Sequence, residues 1–317
     1  MAIGVRVRVT YVAAAALLVG LMVASCGGDP TNAAGSAAAS SETTTLPPTT
    51  APSEVSVDDP ATAEIEVAGE LLARKTGKEE CTTAGDVERC AGATWEGDYS
   101  MSDPRLSGRA DVVFYSETGR KDRFQWWLTS VLQPGGGTWE GLNTGRIEAD
   151  SVHVGDGVYL GSGEFAGLEF NEHLYMGPGA NTSEADAFEV TGHIHPVAVD
   201  GWELDLSFPA ARTRETVGAV ARAWSIGDGD AALELYASDA VYVNTDGSTT
   251  EGGADIASLV ASAADAGEVE LLPPLFVRGN YAVGAFRWTN DADEGWVLAV
   301  LRIDEAGLIA HHEVIGE

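Results

Sequence analysis

Six histidines and three cysteines are the side chains of this chain best suited to ligation, proton transfer or covalent linkage. His193 and His195 lie two apart, so on a strand they share a face with Glu189, and His173 can join them from a neighbouring strand. Two or three imidazoles with one carboxylate form a donor set for zinc or a related transition metal. A solvated polar face that carries histidines explains the same spacing and is the reading preferred here, so no metal is expected. Asp228 and Asp230 flank Gly229, and Asp291, Asp293 and Glu294 form a second acidic cluster. Neither continues into the alternating ligands, glycine and distal glutamate of a calcium loop. The first reads as a helix cap and the second as an exposed loop. Cys81 and Cys90 flank a polar stretch with no histidine nearby, and their C-x8-C spacing fits no zinc hook. In an oxidising compartment they are expected to form a structural disulfide across a hairpin-like loop.

The third cysteine, Cys26, follows Arg6 and Arg8, an apolar run over 11–21, and the small residues Ala24 and Ser25. The run is about ten residues, the length of a signal-peptide core and short for a bilayer span. This stretch resembles a bacterial lipoprotein signal. The resemblance implies cleavage after residue 25 and acylation of Cys26 with chains such as palmitate. Two acyl chains suffice for stable anchoring, at about 0.8 kcal/mol per buried methylene. The expected location is therefore the cell membrane, lipid-anchored on its extracytoplasmic face. An ordinary secreted protein with a chance cysteine past the cut is the alternative. Asn181-Thr182-Ser183 has the form of a glycosylation sequon, but behind a bacterial signal it carries no weight.

The formal charge is −31, with only three lysines at Lys75, Lys78 and Lys121. So acidic a surface repels phosphate backbones and argues against nucleic acid as a partner. Residues 26–60 are rich in Ala, Ser, Thr and Pro and cannot bury enough apolar surface to offset their ordering entropy. They read as a disordered linker, with a reach of roughly 30–35 Å.

Two folded regions must position everything else. Over 61–208 the hydrophobic period is two: Phe124, Trp126, Leu128 and Leu132 alternate with Gln125, Trp127, Thr129 and Val131, and Leu168, Phe170, Leu174 and Met176 behave alike. Strand patterns broken by Gly-rich turns indicate an all-β barrel or sandwich, with Trp202 to Phe208 as a last strand. Thr-Trp-Glu-Gly occurs twice, at 94–97 and 138–141, each offering a large anchor beside a bulge-permitting glycine. The Gly-rich stretch 161–167 faintly resembles the turn of allene-oxide-cyclase-like and dirigent-like β-barrels. No helix follows it, so it is not a phosphate loop. Over 212–317 the period changes. Val217, Val220, Ala221 and Trp224 form a helical stripe; a second helix capped by Asp230 carries Leu233, Leu235 and Tyr236; a third spans 255–266. Strands then follow to the end, an α+β pattern.

In this second region the stretches 227–230, 235–240, Asp246-Gly247, Gly252 and 303–312 resemble the NTF2-like superfamily and its SnoaL-like branch. The resemblance implies a cone of three helices on a curved antiparallel sheet around a mostly apolar pocket. One fold of this kind hosts isomerases, cyclases, hydrolases and pure binders. Ketosteroid-isomerase chemistry requires a Tyr, a carboxylate base and a protonated Asp; the ungapped pattern places Val220, Asn244 and Ala299 there, so that mechanism is not expected. The cyclase-like members imply instead a histidine on the last strand, and His312 takes that position, with Val314 on its face and His311 and Glu313 on the other. Trp224 lies one turn beyond Val220, against the pocket or in the core. The expected function is binding of a small apolar ligand or an envelope partner, without cofactor. The alternatives are a SnoaL-like cyclase, hydrolase or isomerase with His312 as acid or base, and a structural envelope adaptor. The identity of any protein partner is not readable.

Overall fold

The computed structural model describes residues 64–85, 87–118, 124–148, 152–180, 185–199, 202–263, 267–289 and 294–316. The stretch that resembles a signal peptide, Cys26, residues 27–60, the sequon at Asn181 and the acidic residues Asp291 and Asp293 lie outside them.

Nine strands precede the connector: β1 (Ile65–Lys75), β2 (Glu80–Ala84), β3 (Val87–Met101), β4 (Gly108–Thr118), β5 (Phe124–Gln133), β6 (Trp139–Ile147), β7 (His153–Gly161), β8 (Leu168–Met176) and β9 (Asp186–Pro196). All pair antiparallel with their neighbours, and β1 pairs with both β9 and β3. That double pairing closes eight strands into a barrel and leaves β2 as a flap on β3. The barrel, rather than the sandwich, is therefore the architecture of the first domain. Closure removes the exposed sheet edges on which an open sheet could aggregate. Cys81 faces Cys90 in the β2–β3 register, and the two are joined.

The period-two alternation sorts side chains inward and outward as expected. Val67, Leu71, Trp126, Leu132, Trp139, Phe170, Leu174, Val190 and Ile194 pack together inside. One end is plugged: Leu106 and Phe165, each on a short 3-10 turn, are buried there, and the Trp139 ring stacks on Phe165 with centroids 5.2 Å apart. The 161–167 stretch thus serves as a stopper rather than a ligand loop.

The second domain carries α1 (Ala210–Ile226), α2 (Gly229–Leu235), β10 (Tyr236–Val243), β11 (Thr249–Glu251), α3 (Gly253–Ser262), β12 (Glu268–Arg278), β13 (Tyr281–Thr289), β14 (Glu294–Ile303) and β15 (Ile309–Ile315). Its six-stranded sheet runs β11-β10-β15-β14-β13-β12, antiparallel except for the parallel pair β10–β15. Three sequence expectations are corrected here. Asp228, not Asp230, caps α2, its carboxylate accepting from Ala231 N–H. Tyr236 begins a strand rather than ending a helix, because its backbone is drawn into the ladder beside Ile309. Between Trp202 and Phe208 no strand forms; a single bridge from Val199 to Trp202 is all that pairs.

The two domains share a third apolar cluster. Trp127, Leu142, Val158 and Leu160 on the outside of the barrel meet Leu272, Tyr281, Val283, Ala285, Trp296, Leu298 and Val300 on the outer face of the cone sheet. The central cone strands are consequently buried on both faces. Polar ties reinforce the joint: Trp127 Nε1 donates to the Pro273 carbonyl at 2.9 Å, and Arg89 bonds both Glu117 and Glu270. At its centre Glu169 of β8, fully buried, accepts from Arg302 at 2.9 Å and from Tyr281 at 2.9 Å. Burial opposes ionisation of Glu169, but Arg302, His195 and Tyr281 override it and hold the carboxyl near 2.

Candidate functional sites

The cone interior brings together four of the residues singled out by sequence. Val220 and Trp224, on successive turns of α1, pack with Ala299 of β14 in one apolar cluster. His312 is paired with Leu301 of β14 and in parallel register with Tyr242 of β10, so it faces the helices. Tyr242 presents its ring edge-on to the imidazole at 5.0 Å and stacks on Trp224 at 5.3 Å. Glu313, on the opposite face, reaches back toward Arg302 at 3.4 Å.

A directional hydrogen-bond chain fixes the imidazole. Trp224 Nε1 donates to the Tyr236 hydroxyl at 2.9 Å, and that hydroxyl lies 2.7 Å from His312 Nδ1. An indole N–H can only donate, so the phenol accepts from Trp224 and keeps its own proton free for Nδ1. When the phenol donates that proton, Nδ1 is the acceptor and Nε2 carries the hydrogen. Burial pushes His312 down to about 3, with His311 adding to the effect and Glu313 opposing it, while burial raises the Tyr236 phenol. The ring is neutral near pH 7 and a poor base, because a general base works best with a pKa near the operating pH. Nε2 has no partner among the described residues. Asn244 stands apart, half-buried in the turn after β10, where its Oδ1 accepts from Thr245 N–H. Tyr236, which the periodicity placed on a helix, is the polar neighbour of His312.

His193 and His195 lie side by side, ring centroids 5.3 Å apart, but the three histidines of the expected set each meet a different carboxylate. His195 Nε2 lies 3.3 Å from Glu169 at the domain joint, His193 Nδ1 lies 3.6 Å from Glu64, and His173 Nδ1 lies 3.0 Å from Asp156. Burial pulls the His195 pKa down, but the Glu169 carboxylate and the Pro196 carbonyl together leave it above the ordinary value. Among the described residues, the one trio of possible ligands with donor atoms within 4.8 Å of one another is Cys81, Glu88 and Cys90. Its two sulfurs are joined to each other, so it offers no thiolate.

The barrel interior holds a cavity of about 420 Å³ between the plugged end and the opposite rim. Leu71, Val112, Phe114, Trp126, Leu128 and Phe188 make its walls apolar. Such a volume suits a drug-sized molecule. Glycines on β6 and β7 seat the Trp126 ring: a Cβ at Gly145 or Gly155 would strike it, at 2.3 and 2.6 Å. Where Gly157 lacks a side chain, Asn143 of β6 reaches across β7 to Glu172 of β8; a Cβ there would sit 2.5 Å from Asn143 Nδ2. Glu172 also accepts from the Tyr159 hydroxyl at 2.7 Å and from the Tyr99 hydroxyl at 3.2 Å. Burial raises its carboxyl to about 7, against the lowering effect of these three donors. Glu172 and Glu169 thus project from one strand into opposite environments. The quartet was missed in the sequence because its members are scattered over four strands, and only the glycine pairs on β7 hint at it.

The comparisons bear on the cone. A family model for a SnoaL-like domain matches residues 217–312. A solved structure of an epoxide hydrolase of the LEH-like kind from M. tuberculosis is 20% identical over 35% of this chain and 82% of its own, with a TM-score of 0.32. A putative polyketide cyclase from Sinorhizobium meliloti is 24% identical over 34% of this chain and 99% of its own, with a TM-score of 0.29. An NTF-2 like protein of unknown function from Burkholderia xenovorans is 17% identical over 33% and 81%, with a TM-score of 0.29. No curated protein matches the chain. The second domain has an NTF2-like, SnoaL-like fold, preceded by a separate barrel domain.

Proposed function

We propose that this protein is a lipid-anchored extracytoplasmic binder of a small apolar molecule, and that the barrel holds the ligand. The supporting observation is the apolar cavity of about 420 Å³ inside an otherwise well-packed barrel. Interiors normally pack with few voids larger than a water molecule, so a space of this size indicates an occupant. The cone serves as the platform against which the barrel is fixed. Its His312 is held neutral by burial and is hydrogen-bonded to Tyr236, itself fixed by Trp224. In the test, the mature chain with Cys26→Ser is titrated with N-phenyl-1-naphthylamine, a neutral fluorescent probe. Saturable one-to-one binding is expected. Ala73→Trp, which fills the cavity from β1, should weaken it at least tenfold, and His312→Ala should leave it unchanged. The reverse pattern would move the site to the cone.

The unpartnered His312 Nε2 supports a second reading, a SnoaL-like enzyme in which this N–H polarises a substrate oxygen. Epoxide, ketosteroid and polyketide substrates are the ones to try. Under that reading His312→Ala lowers turnover by roughly 10²–10⁴-fold, the usual worth of a lost acid or base.

The anchor is tested separately. Cys26→Ala is expected to shift the protein from the membrane fraction to a soluble or uncleaved form. Unchanged partitioning on detergent fractionation of the native host would rule out the lipid.

A further inference from the structure

Buried polar atoms in folded proteins nearly always find a hydrogen-bond partner. Four atoms of residues that line the cavity do not. Asn143 Oδ1, Ser130 Oγ, Trp126 Nε1 and Trp95 Nε1 are all buried without a partner. Asn143, Ser130 and Trp126 are each at most 3% exposed. Their placement is not scattered. On the inner face Asn143 of β6 lies opposite Leu128 of β5, with Trp126 and Ser130 two residues to either side. Trp95 is paired with Val112, which is paired in turn with Ser130, so the fourth group lies at the depth of Ser130. Two indole donors, one hydroxyl and one amide carbonyl therefore stand without partners among the apolar residues of the wall.

Resting on the barrel-binding reading above, we infer that the cavity selects a neutral, mostly apolar molecule that carries a hydroxyl group, seated against Asn143, Ser130 and the two indoles. A hydroxyl is at once donor and acceptor. It can donate to Asn143 Oδ1 and accept from an indole N–H. A carbonyl could only accept and would leave Asn143 Oδ1 unpaired. A cation could not accept from either indole. Beside Asn143 the carboxyl is that of Glu172, which already accepts from Tyr99, Tyr159 and Asn143. A carboxylate would have to enter past Glu79, Glu88 and Asp186, with Lys75 and His153 the basic residues on the lining and Lys75 already paired with Glu79. The aromatic walls suit a flat or ring-bearing body.

Displacement of N-phenyl-1-naphthylamine by four matched naphthalenes tests this. 2-Naphthol is expected to compete between about five- and a hundredfold better than 2-methylnaphthalene, the range for leaving a buried polar group unpaired. 2-Naphthoate and 2-(aminomethyl)naphthalene should both be weaker than 2-naphthol. Asn143→Leu should narrow the gap between naphthol and methylnaphthalene to less than threefold. Ser130→Ala, a smaller change that leaves Glu172's donors in place, should narrow it in the same direction if Asn143→Leu does not fold. Equal competition by naphthol and methylnaphthalene overturns the hydroxyl selectivity and leaves the cavity reading standing. Tighter binding of the naphthoate or the amine overturns neutrality alone. Failure of the parent probe to bind at all removes the barrel reading and this inference with it.

Discussion

Glu169→Ala is expected to destabilise the protein by about 3–5 kcal/mol, the usual cost of breaking a buried ion pair from one side. Arg302 is 1% exposed and would lose its main counter-charge, with Glu313 left as its other partner at 3.4 Å. The cost should fall on the domain joint, because Glu169 belongs to the barrel while Arg302 and Tyr281 belong to the cone. Urea unfolding followed by tryptophan fluorescence should change from one transition to two. The double variant Glu169→Leu/Arg302→Met should recover most of the loss, since an apolar pair in place of a buried ion pair is often neutral or better. A single-variant cost below about 1 kcal/mol would show that the joint is held by its apolar cluster alone.

Protonation should weaken the same joint. The Glu169 pKa is depressed from 4.5 to about 2 in the folded state. Its contribution is therefore fully present above pH 4.5 and is lost as the pH falls toward 2. His312 acts in the same direction over a higher window. Lowered from 6.5 to about 3, it stays neutral in the fold while the unfolded chain takes up a proton, so its contribution is complete above 6.5 and drains as pH falls to 3.

Much of this architecture was legible in the chain. Period-two alternation around Trp126 and Leu128 announced strands, and a change to helical spacing at Val217 marked the second domain. What alternation alone left open was barrel against sandwich, because closure depends on β1 pairing with both β3 and β9, a contact between distant segments. The domain joint did leave a trace. Trp127, Leu142, Val158 and Leu160 are apolar on the outward face, and 296–301 is continuously apolar, as suits a strand buried on both sides. The parallel pairing of β10 with β15 hid Tyr236, since the run from Ala231 to Tyr236 reads as helical until the ladder claims its end. His312 was found through its strand position, whereas the Glu172 quartet was not. A lone glutamate in an alternating strand looks the same whether its face meets solvent or a lumen.

That lumen sets the sign of the remaining prediction. Burial raises Glu172 from 4.5 to about 7 in the folded protein, against the pull of Tyr159, Tyr99 and Asn143. Between those values the folded state holds a proton that the unfolded chain has released, so stability falls as pH rises through the window. The total is on the order of 3 kcal/mol, at about 1.4 kcal/mol per unit. In the wild type this loss runs against the gain from His312 between pH 4.5 and 6.5. Glu172→Gln removes the loss without emptying the site, because the amide oxygen still accepts from Tyr159 and Asn143 and the amide N–H can donate to Tyr99. The variant's stability should therefore climb across that window and exceed the wild type's by about 2–3 kcal/mol at pH 8, relative to their difference at pH 4.5. Chemical denaturation at six or more pH values measures it directly. Parallel profiles for the two proteins would mean that Glu172 ionises freely in the lumen, through water that enters the cavity.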